Sequence, residues 1–277
     1  MDKMKPISIE RLKGIMAQLR HPQDGCPWDK VQTAATIASY TLEETYEVID
    51  AIERNDTHGL KEELGDLLFH IVFYAQMAQE QQQFDFDDIC EAVCDKLERR
   101  HPHIFNQKAG ISSEKAIDSW EQRKTAERAE KDQHSVLDDI PASLPALMKA
   151  YKIQKRCASV GFDWDTLGPV LDKVYEEIDE VMDEARQAVV DETRLEEELG
   201  DLLFSVVNLS RHLGHKPEMA LQKACHKFEN RFRNVEKLIL DKGLLLETAT
   251  LDEMEEMWQQ VKKQQLSISD DDEDNDK

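Results

Sequence analysis

Little in this chain breaks, cross-links or lengthens into membrane-spanning runs. Only 8 prolines and 10 glycines occur among 277 residues, and 34% of the side chains are charged, a composition that suits long helices. No convincing strand alternation is found. The five cysteines, Cys26, Cys90, Cys94, Cys157 and Cys225, form no CxxC pair and are odd in number. Cys90 and Cys94 stand one helical turn apart, a spacing closer to packing than to zinc ligation. Such usage fits a reducing cytoplasm. No apolar run approaches membrane-spanning length, and Met1 to Arg20 lacks a signal-type apolar core, so a soluble, cytoplasmic protein is expected.

Positive charge is also scarce. Against 58 acids stand 35 lysines and arginines, a formal net charge of -23. That balance argues against non-specific binding to nucleic acid or to an anionic membrane. A phosphate-rich substrate would be repelled at long range, so nucleotide chemistry would need metal ions and a local basic cluster. The signatures GxxxxGK[ST], GxSxG and HExxH are absent.

What the chain does have is acid, in a pattern that occurs twice. Tyr175-Glu176-Glu177-Ile178-Asp179-Glu180 is followed by Glu196-Glu197-Glu198-Leu199-Gly200-Asp201. The same grammar appears earlier, with Glu44 and Glu47 matching Glu177 and Glu180, and Glu63 and Asp66 matching Glu198 and Asp201. Gly25 to Asp29 echoes Gly161 to Asp165. Lys96 and Arg100 align with Lys227 and Arg231, and Trp120 and Lys124 with Trp258 and Lys262. An ordered series of matching features reads as a duplicated domain. The expected division is a first domain over 1–130, a linker over 131–145, a second domain over 146–266, and a disordered acidic tail over 267–277.

Helical neighbours at i and i+3 project from one side of the cylinder. If consecutive helices pack antiparallel, Glu177, Glu180, Glu198 and Asp201 converge, and four carboxylates that close repel each other unless a hard cation lies between them. Singly, such a pair in so acidic a chain is a solvated helix face. Two pairs on consecutive helices, repeated in both halves, read as a magnesium site.

Helices are expected over Ile9–Leu19, Thr36–Arg54, Leu60–Ala78 and Phe86–Arg100, with a further one carrying Trp120 and Lys124. In the second half they are expected over Ala146–Ser159, 170–190, 195–213, Glu218–Asp241 and Leu251–Gln264, with loops at Asp24–Trp28 and Gly161–Asp165. Leu64, Leu67, Leu68, Ile71, Val72 and Ala75 form one stripe, while Phe69, Phe73 and Met77 cover another side. That helix is therefore expected to be buried nearly all round. Asp66 points almost the same way as Phe73 and Met77, which implies a partly enclosed site. Gly65 and Gly200 sit inside helices at a cost of about 1 kcal/mol each relative to alanine, and close helix approach beside the acids is the expected reason.

Lys227 and Arg231, spaced i and i+4, reach one side of their helix. Beside a metal site, ammonium and guanidinium groups suit the non-bridging oxygens of a triphosphate, although surface pairing with Glu229 or Asp241 would explain them alone. Trp258 offers a flat face for a base, or equally a core side chain, with Lys262 one turn on. Glu98 to His101 spells ExxH, but the second half has no matching histidine, which leaves a di-iron reading without support.

Taken together, the acid pairs, their helical placement, the Trp-Asp loop and the duplication resemble the MazG nucleoside triphosphate pyrophosphohydrolases, over nearly the whole chain apart from the tail. The resemblance implies an all-α fold of tandem four-helix-bundle domains, similar to the all-α dUTPases, that dimerises. It implies hydrolysis of nucleoside triphosphates, ATP included, to monophosphate and pyrophosphate with Mg²⁺, or with Mn²⁺ as a substitute. On this view Glu177, Glu180, Glu198 and Asp201 are metal ligands. Lys227 and Arg231 contact phosphate, while Lys173, Glu197, Trp258 and Lys262 complete the substrate site. Glu177 or Glu197 is then the general base. Glu44, Glu47, Glu63, Asp66, Lys96, Arg100, Trp120 and Lys124 are the first-half equivalents, and the resemblance makes the second half catalytic. An alternative is a helical nucleotide-binding or regulatory dimer in which one half does not turn substrate over. A purely structural bundle is a third reading.

Overall fold

The computed structural model describes residues 9–105, 123, 127 and 135–273, with side chains as far as residue 264. Every regular element among the described residues is helical, so the all-α expectation holds. The chain divides into two compact units, Met1–Arg128 and Ala129–Lys277. Trp120 and Lys124 lie outside the described residues.

In the first unit, α1 (Ile9–Leu19), α2 (Pro27–Val31), α3 (Ala34–Glu53), α4 (Thr57–Glu80), α5 (Phe86–Arg100) and the one-turn α6 (Pro102–Phe105) follow in order. Their ends are set by local chemistry. The Thr33 hydroxyl accepts from the Thr36 amide to open α3, and Asp56 accepts from Gly59 to open α4. Asp85 accepts from the Asp87 and Asp88 amides to open α5. Such side-chain acceptors satisfy amides that the first helical turn cannot pair. Pro27 starts α2 inside what reads from sequence as loop, because proline is tolerated where the helix has no intrahelical bond to lose.

The α3 and α4 helices form a tight hairpin, against which α1 and α5 pack through α4. Met16, Ile37, Val72, Phe73 and Met77 make the core. Arg20 locks α1 to it. Its Nε and Nη2 donate to the Glu80 carboxylate at 2.9 and 2.7 Å, its Nη1 donates to the carbonyl of Asp29 at 2.6 Å, and its guanidinium carbon lies over the Phe73 ring.

Two expectations for α4 fail. The helix is not buried all round, since Leu64, Leu68 and Ile71 are exposed at 49%, 37% and 39%. It buries the side carrying Val72, Phe73, Ala75 and Met77, and leaves the i, i+4, i+7 stripe on the other side exposed. Asp66 is likewise exposed rather than enclosed. Nor does close packing account for the helical glycines, because a Cβ added at Gly65 or Gly200 meets nothing within 4 Å. Nothing in the structure explains those two residues.

The second unit contains α7 (Ala146–Ala158), α8 (Leu167–Ala185), α9 (Glu192–His212), α10 (Pro217–Asp241), a 3₁₀ turn at Leu246–Thr248, and α11 (Leu251–Glu273). The last helix outruns the expected Gln264 and enters the stretch expected to be a disordered acidic tail. Again two helices, α8 and α9, form a hairpin, with α7 packed on α9 and α10, and α11 on α10. Gln154 on α7 is buried and donates to the Phe204 carbonyl of α9 at 2.8 Å. Val235, Ile239, Met257 and Val261 form the α10–α11 core. Leu199, Leu203 and Val206 repeat the exposed stripe of α4.

Candidate functional site

Glu177 lies about two turns before the end of α8 and Glu198 about two turns into α9, so the hairpin that joins those helices folds one acid back onto the other. The consequence is a tight group. Oxygens of Glu177, Glu180 and Glu198 all lie within 4.8 Å of one another. Glu177 is the buried member, 4% exposed, Glu198 is half-buried and Glu180 faces solvent. Asp201, expected as the fourth ligand, is exposed one turn further along α9 and is not part of that close group. Glu197 is also exposed.

The charge balance of the group is unusual. One oxygen of Glu177, Oε1, lies 2.7 Å from the Lys173 ammonium, which also reaches Glu176 at 3.0 Å. The other oxygen, Oε2, is buried without a hydrogen-bond partner. Those two carboxylates hold the Lys173 ammonium well above the ordinary lysine range. Loss of water and then the charges of Glu177 and Glu198 push the Glu180 carboxyl up, as crowding of like charges must. An orphaned buried carboxylate oxygen is costly, and a ligand that supplies positive charge would satisfy it. All-oxygen donors of this kind suit Mg²⁺ or Mn²⁺ and not a soft metal. Glu177, Glu180 and Glu198 therefore fit a hard divalent cation.

The first unit repeats the arrangement with changes. Glu44, Glu63 and Asp66 form the close group there, and Glu44 Oε2 is again buried without a partner. Glu47 is exposed but near enough for its charge to act on both Glu44 and Glu63. Burial first, and then these neighbours, push the Glu44 and Glu63 carboxyls up. Four residues before Glu44, where the second unit has Lys173, stands Tyr40, its ring edge-on to Trp28 at 6.2 Å.

Of the residues expected to meet phosphate or base, Lys227 is exposed on α10 and Arg231 is half-buried one turn on. Trp258 is half-buried against the α10–α11 core, its ring 5.0 Å from Phe228, which stacks in turn on Phe232. Its packing is thus as much structural as available to a ligand. Lys262 is half-buried one turn after it. In the first unit Lys96 is exposed, while Arg100 is engaged by the Glu127 carboxylate, which also binds Arg99. Sequence reasoning missed that pairing. A loop also proves anchored: Asp163 accepts from Arg211 at 2.8 and 2.5 Å and pairs with His212 Nε2 at 2.9 Å, fixing the Gly161–Asp165 segment to α9.

No helix of the described residues is long and apolar enough to cross a membrane. Comparison with known proteins agrees with the duplicated architecture. The MazG nucleotide pyrophosphohydrolase domain model matches twice, over residues 32–105 and 166–236, which contain both acid groups. A nucleoside triphosphate pyrophosphohydrolase of Escherichia coli K12 is 66% identical over 260 residues, covering 94% of this chain and 99% of its own. The nucleoside triphosphate pyrophosphohydrolase/pyrophosphatase MazG of Thermotoga maritima is 43% identical, covering 92% and 96%. A nucleoside triphosphate pyrophosphohydrolase of Mycolicibacterium smegmatis is 33% identical over 68% of this chain and 58% of its own. With two matching domains and near full-length similarity to such relatives, the chain belongs to the MazG nucleotide pyrophosphohydrolase family.

Proposed function

We propose that this protein is a magnesium-dependent nucleoside triphosphate pyrophosphohydrolase, cleaving the α–β phosphoanhydride of NTPs and dNTPs, ATP included, to release monophosphate and pyrophosphate. The observation that carries this reading is the buried, unpartnered Oε2 of Glu177 within a triad of crowded carboxylates. When bound, a divalent cation supplies charge neutralisation of phosphate oxygens as pyrophosphate departs. Glu177, Glu180 and Glu198 hold it, with Asp201 at the solvent edge. Lys227 and Arg231 bind non-bridging oxygens and stabilise the charge that develops on them. Lys173, already inside the acid cluster, is in reach to pass from carboxylate to phosphate. Glu177 or exposed Glu197 takes the proton of the attacking water. The flat ring of Trp258, with Lys262, borders the base.

A homodimer in the cytoplasm completes the reading. The exposed apolar stripes Leu64–Leu68–Ile71 and Leu199–Leu203–Val206 support it, since such surface gains free energy when a second copy covers it.

The deciding experiment is product analysis across NTPs and dNTPs with and without magnesium. The expected products are monophosphate and pyrophosphate, formed only with the metal. Release of orthophosphate with a diphosphate, or turnover in excess chelator, overturns the proposal. A regulatory module predicts nucleotide binding with no product at all.

A further inference from the structure

The acid clusters of the two units share their carboxylates and differ in one cation. In the second unit the Lys173 ammonium lies 2.7 Å from Oε1 of Glu177 and 3.0 Å from Oε1 of Glu176. In the first, the residue four before Glu44 is Tyr40, which brings no positive charge and meets Trp28. Glu44, Glu63 and Asp66 nevertheless come as close together as Glu177, Glu180 and Glu198. An ammonium is therefore not what a cluster of this kind needs in order to form.

The position of Lys173 points to another task. Glu177 has one oxygen held by that ammonium and the other, Oε2, buried without a hydrogen-bond partner. A divalent cation on Glu177, Glu180 and Glu198 has to share the Glu177 carboxylate with the ammonium, and the two positive charges repel at that separation. Lys173 is free to leave. Its side chain is 35% exposed, and Glu176, one turn on and 57% exposed, already takes part of its charge. The oxygens of a triphosphate concentrate several negative charges in one place and attract an ammonium more strongly than either carboxylate does.

We propose that Lys173 makes the metal site of the second unit conditional on the nucleotide. With its ammonium on Glu177 the nucleotide-free chain takes a divalent cation weakly. A triphosphate draws the ammonium onto its own oxygens, and the carboxylate so released binds the cation tightly. The coupling is reciprocal, so the cation raises the affinity for triphosphate by the same factor. The inference rests on the reading of this cluster as the site of metal-dependent triphosphate cleavage, and adds to it that cation and nucleotide enter together.

The test uses the full-length chain and Mn²⁺, whose free ion is counted by its paramagnetic resonance signal. The binding that Glu198→Gln removes is that of the second unit. In the absence of nucleotide, Lys173→Met and Lys173→Gln are each expected to bind Mn²⁺ there about tenfold more tightly than the wild type, while Lys173→Arg, which keeps the charge, stays within about twofold. The factor is far below the bare repulsion of two cations at that distance, because Lys173 is partly solvated and can turn to Glu176. Calorimetric titration with the α,β-methylene analogue of ATP gives the second reading. The factor by which saturating Mn²⁺ tightens analogue binding is expected to fall about tenfold in Lys173→Met and Lys173→Gln. A lysine that only braces the cluster predicts unchanged or weaker Mn²⁺ binding once it is removed, and that result overturns the proposal. So does a Lys173→Arg chain that binds Mn²⁺ as tightly as Lys173→Gln. Glutamine keeps a hydrogen-bond donor for Oε1, so it decides even if Lys173→Met fails to fold. Either overturning result leaves the functional reading standing while the wild type releases pyrophosphate with magnesium. A wild type with no Glu198-dependent Mn²⁺ binding, with or without the analogue, and no turnover brings down that reading and this inference together.

Discussion

The Lys173 ammonium lies 2.7 Å from Oε1 of Glu177, the buried acid of the second unit's cluster, whose other oxygen has no hydrogen-bond partner. In the absence of a metal this lysine is the cation that offsets the crowded carboxylates. Lys173→Met removes it and leaves Glu177 buried and unpaired. A loss of about 1–2 kcal/mol is expected, toward the low end because Lys173 is itself about a third exposed. Thermal unfolding should therefore show a midpoint lowered by several degrees without magnesium and by less with it saturating, since a bound cation replaces the missing charge. An equal loss in both conditions means that the lysine and the metal do not share Glu177.

Glu198 reaches the cluster from the other helix of the hairpin, so its charge can be removed without cutting into the core. Glu198→Gln keeps size and shape and lowers the ligand charge. Turnover is expected to fall by more than about 100-fold, beyond the usual cost of a residue that only supports a ligand. Helical circular dichroism should persist, and the rise in melting temperature on adding magnesium should shrink. The paired variant Glu63→Gln tests the first unit, where turnover within about twofold of wild type is expected. If Glu63→Gln is the one that abolishes turnover, the catalytic unit has been assigned to the wrong half.

Much of this was readable before any coordinates. The bounds of α5 follow from Asp85, a side chain that caps, and from Pro102, a residue that stops. The acid groups follow from i, i+3 spacing on two helices joined by a short turn. Even the Lys173–Glu177 pair is an i, i+4 relation. What escaped were relations that spacing cannot carry. Leu64, Leu68 and Ile71 are apolar in any reading, but whether a stripe is covered depends on neighbours that one chain need not contain. Arg100 and Glu127 meet although 27 positions apart in sequence, where no periodicity connects them. Gly65 suggested a tight approach, yet the space beside it is open. Local rules placed the chemistry, and tertiary return of the chain decided which charges are already spent.

The anchored loop offers a pH test. Asp163 accepts from both Nη atoms of Arg211 and pairs with His212, while the Trp164 amide donates to it at 2.9 Å. These partners, Arg211 first, hold its carboxyl at about 2, against 3.8 for a free aspartate. The folded value lies below the unfolded one, so protonation favours the unfolded chain. The stabilisation is complete above about pH 4 and is lost as pH falls toward 2, amounting to about 2 kcal/mol at most. Asp163→Asn cannot gain or lose that proton. At neutral pH the variant should be less stable than wild type, because an amide offers Arg211 one neutral acceptor oxygen where the carboxylate offered two charged ones. Between pH 4 and 2 the two stabilities should converge, as the wild type loses what the variant never had. Urea midpoints measured across that window decide it. If the gap stays constant with pH, the Asp163 ion pair does not hold the loop that leads into α8, and the placement of Lys173 and Glu177 owes nothing to it.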